Sequence, residues 1–240
     1  MYDIIAKNYS EIFPVDNGFS ESIYKYYQEK NIKPQNIRIL DVGCAVGDLS
    51  LKLSGYGFDI VGIDLSESML SIAKSKICGQ SNLKFEKLNM LDIQKLGKFD
   101  IVICFGNTVS HLKNEKEIED FFIAVYNILN ADGIFYFEAL NYGEILNEKT
   151  AYFPVIETEN FIFNRSYNYY KKNIVSFEIK FKDKKLNKTY SDLINLFPIT
   201  KEMILNLLKR AGFSKIKYIA NNIEKKTFME EFNINYEAIK

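Results

Sequence analysis

From Asn36 to Gly143 short runs of β-branched and aromatic residues alternate with segments whose apolar positions recur at helical spacing. Five runs predict strands: Ile37 to Val42, Asp59 to Asp64, Leu83 to Leu88, Phe99 to Cys104 and Gly133 to Ala139. Several are apolar on both faces, as a buried parallel strand requires. Between them, Leu49 with Leu53, Met69, Leu70, Ala73 with Ile77, and Ile118, Phe121, Phe122, Val125 with Leu129 mark three helices, the second capped by Ser66. Strand and helix in regular alternation predict an α/β architecture, a parallel sheet covered on both faces and joined by right-handed crossovers.

After Tyr142 the periodicity changes. Phe153 to Phe197 is rich in Tyr, Phe, Ile and Asn in approximate alternation, which predicts three or four antiparallel strands. Helical spacing returns with Met203, Ile204, Leu207, Leu208 and Ala211, capped by Thr200 and stopped by Gly212. Two strand-like runs, Phe213 to Ala220 and Phe232 to Ile239, then predict a hairpin that completes the sheet. The expected organisation is a core over residues 1–150 with an N-terminal helix between loops at Asn17 to Ser20 and Asn31 to Gln35, an inserted β lid over 151–198, and closing elements over 199–240. No repeat, low-complexity tract or Gly/Ser linker interrupts this scheme.

A chain of 240 residues suits one α/β domain with an elaboration, and 47% apolar with 26% charged residues excludes a disordered chain. Apolar runs such as Ile101 to Phe105 are of strand length, and Asp3, Lys7 and Glu11 break up the N-terminus, so the reading is a cytoplasmic protein without a signal peptide or membrane span. Cys44, Cys78 and Cys104 show no paired spacing and read as reduced thiols. Lys plus Arg balances Asp plus Glu at 31 each, so no overall positive field gathers nucleic acid. The basic cluster Lys180, Lys182, Lys184, Lys185 and Lys188 contains Asp183 and alternates with apolar residues, the pattern of a solvated strand and its turn.

The first strand runs into Asp41-Val42-Gly43-Cys44-Ala45-Val46-Gly47-Asp48, a tight turn whose bare backbone lets a nucleotide-like ligand approach. Dinucleotides and S-adenosylmethionine both use such turns. Asp41 would repel a pyrophosphate and favour a ligand carrying an ammonium and a sulfonium. The dinucleotide fingerprint also wants Gly where Ala45 and Asp48 stand.

At this turn the chain resembles the class I methyltransferases, whose first motif is an acidic residue followed by a Gly-rich turn, with Ala45 departing from the usual second glycine. The resemblance implies a Rossmann-like seven-stranded sheet, mostly parallel, with an antiparallel terminal hairpin. It extends to Asp64 at the end of the second strand, suited to the ribose hydroxyls, with helix capping as the alternative. In Leu88-Asn89-Met90-Leu91-Asp92-Ile93, Asn89 would read the adenine amino group or serve an exposed turn, and Asp92 reads as a helix cap. Tyr2 and Tyr9 lie in a segment similar to one that family members fold over the cofactor, and Tyr9 lines the methyl-transfer pocket or packs an amphipathic face. The implied cofactor set is Asp41, Gly43, Cys44, Ala45, Gly47, Asp64, Leu65, Asn89, Met90, Phe105 and Tyr9.

Phe105-Gly106-Asn107-Thr108-Val109-Ser110-His111-Leu112 resembles a segment of glycine and sarcosine N-methyltransferases and related enzymes, including those acting on amino sugars. Asn107 would hold the acceptor or stabilise a turn; His111, the one histidine, would relay a proton or begin a helix. In the lid, Arg165 would bind a carboxylate, and Tyr167, Tyr169 and Tyr170 would wall out water or pack a strand. No metal motif, Cys-x-x-Cys or nucleophile elbow appears, so no metal is expected. The function implied is methyl transfer from S-adenosylmethionine to a small molecule, an amine nitrogen first, releasing S-adenosylhomocysteine from a monomer or homodimer. An RNA or protein methyltransferase and a non-catalytic cofactor-binding module are the alternatives.

Overall fold

The computed structural model describes residues 2–15, 17–148, 153–171, 174–220 and 233–240. The chain opens with two short helices, α1 (Tyr2–Ile5) and α2 (Tyr9–Ile12), followed by α3 (Gly18–Glu29). The core then alternates β1 (Arg38–Val42), α4 (Asp48–Gly55), β2 (Asp59–Asp64), α5 (Glu67–Ser75), β3 (Leu83–Lys87), β4 (Phe99–Cys104), α6 (Glu115–Ile128) and β5 (Leu129–Leu140). Beyond α7 (Tyr142–Glu148) come four strands, β6 (Ile156–Glu157), β7 (Phe161–Lys171), β8 (Ile174–Asp183) and β9 (Lys188–Leu196). Helix α8 (Lys201–Ala211) and the strands β10 (Lys215–Ala220) and β11 (Asn233–Ile239) close the chain.

Seven strands form one sheet in the order β10-β11-β5-β4-β1-β2-β3, and β6 to β9 form a separate antiparallel sheet. Strands β1 to β5 are parallel, while β11 runs antiparallel to β5 and pairs with β10 as the expected hairpin. The chain leaves β1 toward β2 and β3, then crosses back to β4 on β1's other side. Neighbouring connections thus depart in opposite directions, which opens a crevice beyond the carboxyl ends of β1 and β4. One sheet face buries Leu40, Val61, Val102, Phe135 and Phe137 under α6 and α8. Its other face buries Ile39, Ile60, Ile101 and Ile103 under α3, α4 and α5.

Local signals set most helix ends. Ser66, Asn114 and Thr200 each accept the backbone N–H three residues on, and Gly212 ends α8 at φ +111°. Some boundaries move. Leu129 belongs to β5 rather than the preceding helix, because it pairs with Phe99 across a register shift in β4. The hairpin starts at Lys215, since Phe213 is drawn inward against Tyr126, ring centroids 5.2 Å apart. Helix α3 begins at Gly18, inside the predicted loop, where Ser20 Oγ donates to the Asn17 carbonyl. Asp92 is no helix cap: Asn89 caps that turn and Asp92 pairs with Lys95. The basic cluster lies on β8, its turn and β9, with Lys180 and Lys184 paired to Glu178 and Glu157. No helix among the described residues is long and apolar enough to cross a membrane.

Candidate active site

The turn after β1 keeps three residues in left-handed conformations, Gly43 at φ +74°, Ala45 at +48° and Gly47 at +77°. The turn's own N–H groups are engaged: those of Gly43 and Cys44 donate to the Ile63 carbonyl at 2.8 and 3.0 Å, that of Ala45 to Asp64, and that of Gly47 to the Cys44 carbonyl at 2.9 Å. The turn also fits tightly. A Cβ on Gly43 would lie 2.6 Å from the Thr108 methyl, and one on Gly47 would lie 2.4 Å from the Phe85 ring. Ala45 adopts the same conformation with a Cβ, at a steric cost of about 1 kcal/mol. Cys44 is buried beneath the turn, and burial beside Asp41 and Asp64 pushes its thiol up, so it serves as packing.

Two carboxylates flank this turn. Asp41 accepts Ser50 Oγ at 2.6 Å and is fully enclosed; burial, with Asp64 adding, raises its pKa to about 6. Asp64 closes β2 and accepts the N–H of Ala45 at 3.0 Å and of Ser66 at 2.8 Å, with burial again raising its pKa. The Leu65 N–H bonds to it as well, which leaves one further acceptor position on the carboxylate. No ion pair among the described residues reaches either group, so the crevice holds concentrated negative charge that favours a cationic ligand. Leu65, next in the chain, is 58% exposed at the mouth, an apolar surface bared beside the carboxylates. The Leu88 N–H donates to the Asp64 carbonyl at 3.2 Å, holding Asn89 and Met90 to the same rim. Asn89 Oδ1 accepts the Leu91 N–H at 3.0 Å, which engages one of its two lone pairs in capping.

The N-terminal segment is strapped across this edge. Asp3 accepts the hydroxyls of Ser66 and Ser68, and Ser10 donates to Asp48. Ile5, Ala6 and Ile12 are buried with Val46, Met69 and the second sheet's Phe161, Phe163 and Ile179. Tyr9 therefore lies between the crevice and the second sheet. Burial, then Asp64, Asp48 and Asp41, push its phenol well up, so it stays protonated. The side chain of Tyr2 lies outside the described residues.

The loop after β4 joins the two halves. Asn107 sits at φ +60° with its side chain committed: Nδ2 donates to Tyr142 at 2.9 Å, and Oδ1 accepts Ser110 Oγ at 2.8 Å and the Leu140 N–H at 3.1 Å. It stabilises the turn rather than offering a free amide. His111 ends the same short 3-10 turn, Thr108–His111, and burial lowers its pKa to about 4, so it is a neutral imidazole. Phe105 turns away from the crevice, its ring edge-on to Phe19 of α3 at 4.8 Å. Sequence reasoning missed Glu138, which accepts the Gly106 N–H at 3.0 Å and is raised in pKa by burial. A carboxylate inside the apolar run Phe135-Tyr136-Phe137-Glu138-Ala139-Leu140 was the available signal.

Beneath the second sheet lies a cavity lined among others by Tyr9, Asn107, His111, Phe153, Arg165 and Tyr167. Its aromatic lining with a few polar groups suits a small molecule. The structure thus brings Asp41, Asp64, Ala45 and Tyr9 together at one edge, and Tyr9, Asn107 and His111 at the other. Tyr169 and Tyr170 fall on β7, but their side chains lie outside the described residues.

Comparison with known proteins agrees with this geometry. Residues 39–133 match the family model of a methyltransferase domain. A putative methyltransferase of Geobacillus is 36% identical over 122 residues, 50% of this chain and 48% of the relative. The chain thus spans about half the length of the first curated relatives it matches. A glycine/sarcosine N-methyltransferase of Halorhodospira halochloris is 29% identical over 198 residues, 75% of this chain and 66% of that protein. An amino pentose methyltransferase from Micromonospora echinaspora, solved with S-adenosylmethionine bound, superposes at a TM-score of 0.74 over 98% of this chain and 96% of that one, at 17% identity. The fold is that of the class I methyltransferases.

Proposed function

We propose that this chain, a class I methyltransferase by fold, binds S-adenosylmethionine across the ends of β1 and β2 and transfers its methyl group to a small molecule, an amine nitrogen first, in the cavity below the second sheet. One observation carries the reading: a bare left-handed turn between a buried and a half-buried carboxylate, with no ion pair to either among the described residues, next to an aromatic cavity that Tyr9 also lines. The glycine/sarcosine N-methyltransferase likeness and the fold shared with an amino pentose methyltransferase support a nitrogen acceptor.

The residues present fit the cofactor. Asp64, with one acceptor position left, accepts a ribose hydroxyl proton; the Gly43 to Gly47 turn leaves room for the methionine part; Leu65 covers the adenosine; the remaining acceptor on Asn89 and the Met90 backbone face adenine. When bound, S-adenosylmethionine supplies a methyl group on a cationic sulfur, released as a neutral thioether when an acceptor lone pair takes the methyl. Catalysis then asks the protein for alignment and exclusion of water. The strap and the second sheet, acting as a lid, exclude water, and the Asn107 turn fixes the wall the acceptor meets. The acceptor nitrogen must arrive without its proton. His111, with a pKa of about 4, is too weak a base to take a proton from an ammonium at neutral pH, so the nitrogen sheds its proton to water.

Replacing Asp64 with Ala removes the ribose acceptor and its backbone anchors. Affinity for S-adenosylmethionine, measured by calorimetry, is expected to fall about 100-fold, from charge-assisted hydrogen bonds worth about 1.5–3 kcal/mol each. A folded variant with unchanged affinity removes the assignment. Turnover of the intact chain against amines, amino acids, amino sugars and phenols, read as S-adenosylhomocysteine release, tests the acceptor class.

A further inference from the structure

Along β7 the residues facing the core read Phe161, Phe163, Arg165 and Tyr167, opposite Asp183, Phe181, Ile179 and Phe177 of β8. A cation occupies a register that its neighbours fill with rings. Arg165 is 8% exposed, and its Nε is buried with no hydrogen-bond partner. No ion pair among the described residues reaches its guanidinium. The carboxylate on the adjoining strand, Glu178, takes the outward register opposite Ser166 and pairs with Lys180. Three ring faces surround the cation instead, with centroids at 4.9 Å for Phe153, 5.4 Å for Phe13 and 5.6 Å for Phe163.

Rings stabilise a cation through their quadrupoles but accept no directed N–H···O bonds. A guanidinium presents a planar fork of donors that matches a carboxylate in geometry and charge. This fork borders the cavity that also meets Tyr9, Asn107 and His111. The cavity is therefore polarised, with an unpaired cation on the second-sheet wall and, past Tyr9, the acidic crevice. An acceptor bearing an anion and an amine would seat only one way, its anion on the sheet and its nitrogen toward the crevice.

We infer that Arg165 is the anion receptor of the acceptor site, and that the acceptor is an amine carrying a carboxylate. The inference rests on the methyltransferase reading above, from which it takes the use of the cavity. A single guanidinium, with no second cation on the cavity wall among the described residues, matches a carboxylate monoanion better than a phosphate dianion. Burial disfavours the charged form of Arg165 and leaves it short of an anion.

Binding of a bare probe tests this apart from turnover. Acetate, acetamide and methylphosphonate are titrated into the full chain with and without saturating S-adenosylhomocysteine, for the unaltered protein, Arg165→Met and Arg165→Lys. Acetate is expected to bind and acetamide not; Arg165→Met should lose acetate affinity by about tenfold or more, and Arg165→Lys should recover part of it. In turnover, Arg165→Met should raise KM for amino acids by a similar factor and leave KM for the matching amino amides unchanged. Equal binding of acetate and acetamide, acetate binding that survives Arg165→Met, or equal losses for acids and amides would overturn the inference. Methylphosphonate binding tighter than acetate would overturn the carboxylate assignment. If Arg165→Met does not fold, Arg165→Lys alone decides, since it keeps the charge but loses the fork and must bind acetate more weakly. Failure of the unaltered chain to bind S-adenosylhomocysteine strikes the methyltransferase reading instead, and the acetate arm without that nucleoside still reports on Arg165.

Discussion

The crevice at the ends of β1 and β2 and the cavity under the second sheet hold unpaired charge of opposite sign. Among the described residues, buried Asp41 and half-buried Asp64 meet no cation in the crevice, and buried Arg165 meets no anion in the cavity. Leaving a charge buried and unpaired costs several kcal/mol, so each is held in place by surrounding structure. The crevice is built from one continuous stretch, Asp41 to Gly47, with Asp64 one strand away. The cavity gathers side chains from residues 5 to 196. One half is locally encoded and fixed by backbone geometry, whereas the other is an aromatic wall assembled from distant segments.

Removing the joint between the halves should have the largest effect. Asn107→Ala deletes three hydrogen bonds and leaves the Leu140 N–H short of a partner, while the Tyr142 hydroxyl keeps those to Tyr167 and Ser110. At about 1 kcal/mol each, stability should fall by about 3 kcal/mol in denaturant titration. Both cofactor affinity and acceptor KM should worsen; damage confined to one would show that the halves are built independently.

Asp41→Asn touches the crevice alone. The folded pKa of Asp41, about 6, lies above its ordinary value of 3.8. The folded chain therefore binds the extra proton between these values. That contribution to stability is complete below pH 3.8 and lost as pH rises through 6. Asn escapes the loss, so the variant should gain roughly 1–3 kcal/mol of stability at pH 7. A cationic ligand favours the ionised carboxylate, so affinity for S-adenosylmethionine should rise between pH 5 and 7 in the unaltered chain and lose this slope in Asp41→Asn. A slope that persists in the variant would move the titrating group elsewhere.

The smallest change sharpens the contrast at backbone level. Ala45→Gly relieves a left-handed residue and should stabilise the chain by about 0.5–1 kcal/mol, net of the extra freedom glycine gives the unfolded state. Chemical denaturation measures it, and a loss of stability would show that the Ala45 methyl packs usefully.

Much of the crevice was legible because its signals are local. Glycines at the turn, a carboxylate ending the second strand and a Ser cap on the next helix each act within a few residues, and the strand runs at Asp59 and Phe99 matched to the residue. Asn107 and Phe105 were read less well. Whether an amide faces a ligand or a tyrosine hydroxyl depends on Tyr142, 35 residues on, and whether a ring faces the crevice depends on α3. Glu138 escaped notice because its partner is the backbone of a loop on another strand.

By itself, then, the sequence determined the alternation of strands and helices, the shape of the turn after β1 and the acidic character beside it, since these follow from periodicity, backbone sterics and neighbouring residues. Tertiary structure alone decided that Tyr9 separates two sites, that Asn107 is spent on holding a loop and that Arg165 faces a cavity with no partner. Each of those depends on which distant surface a side chain meets, and packing, not local preference, sets that.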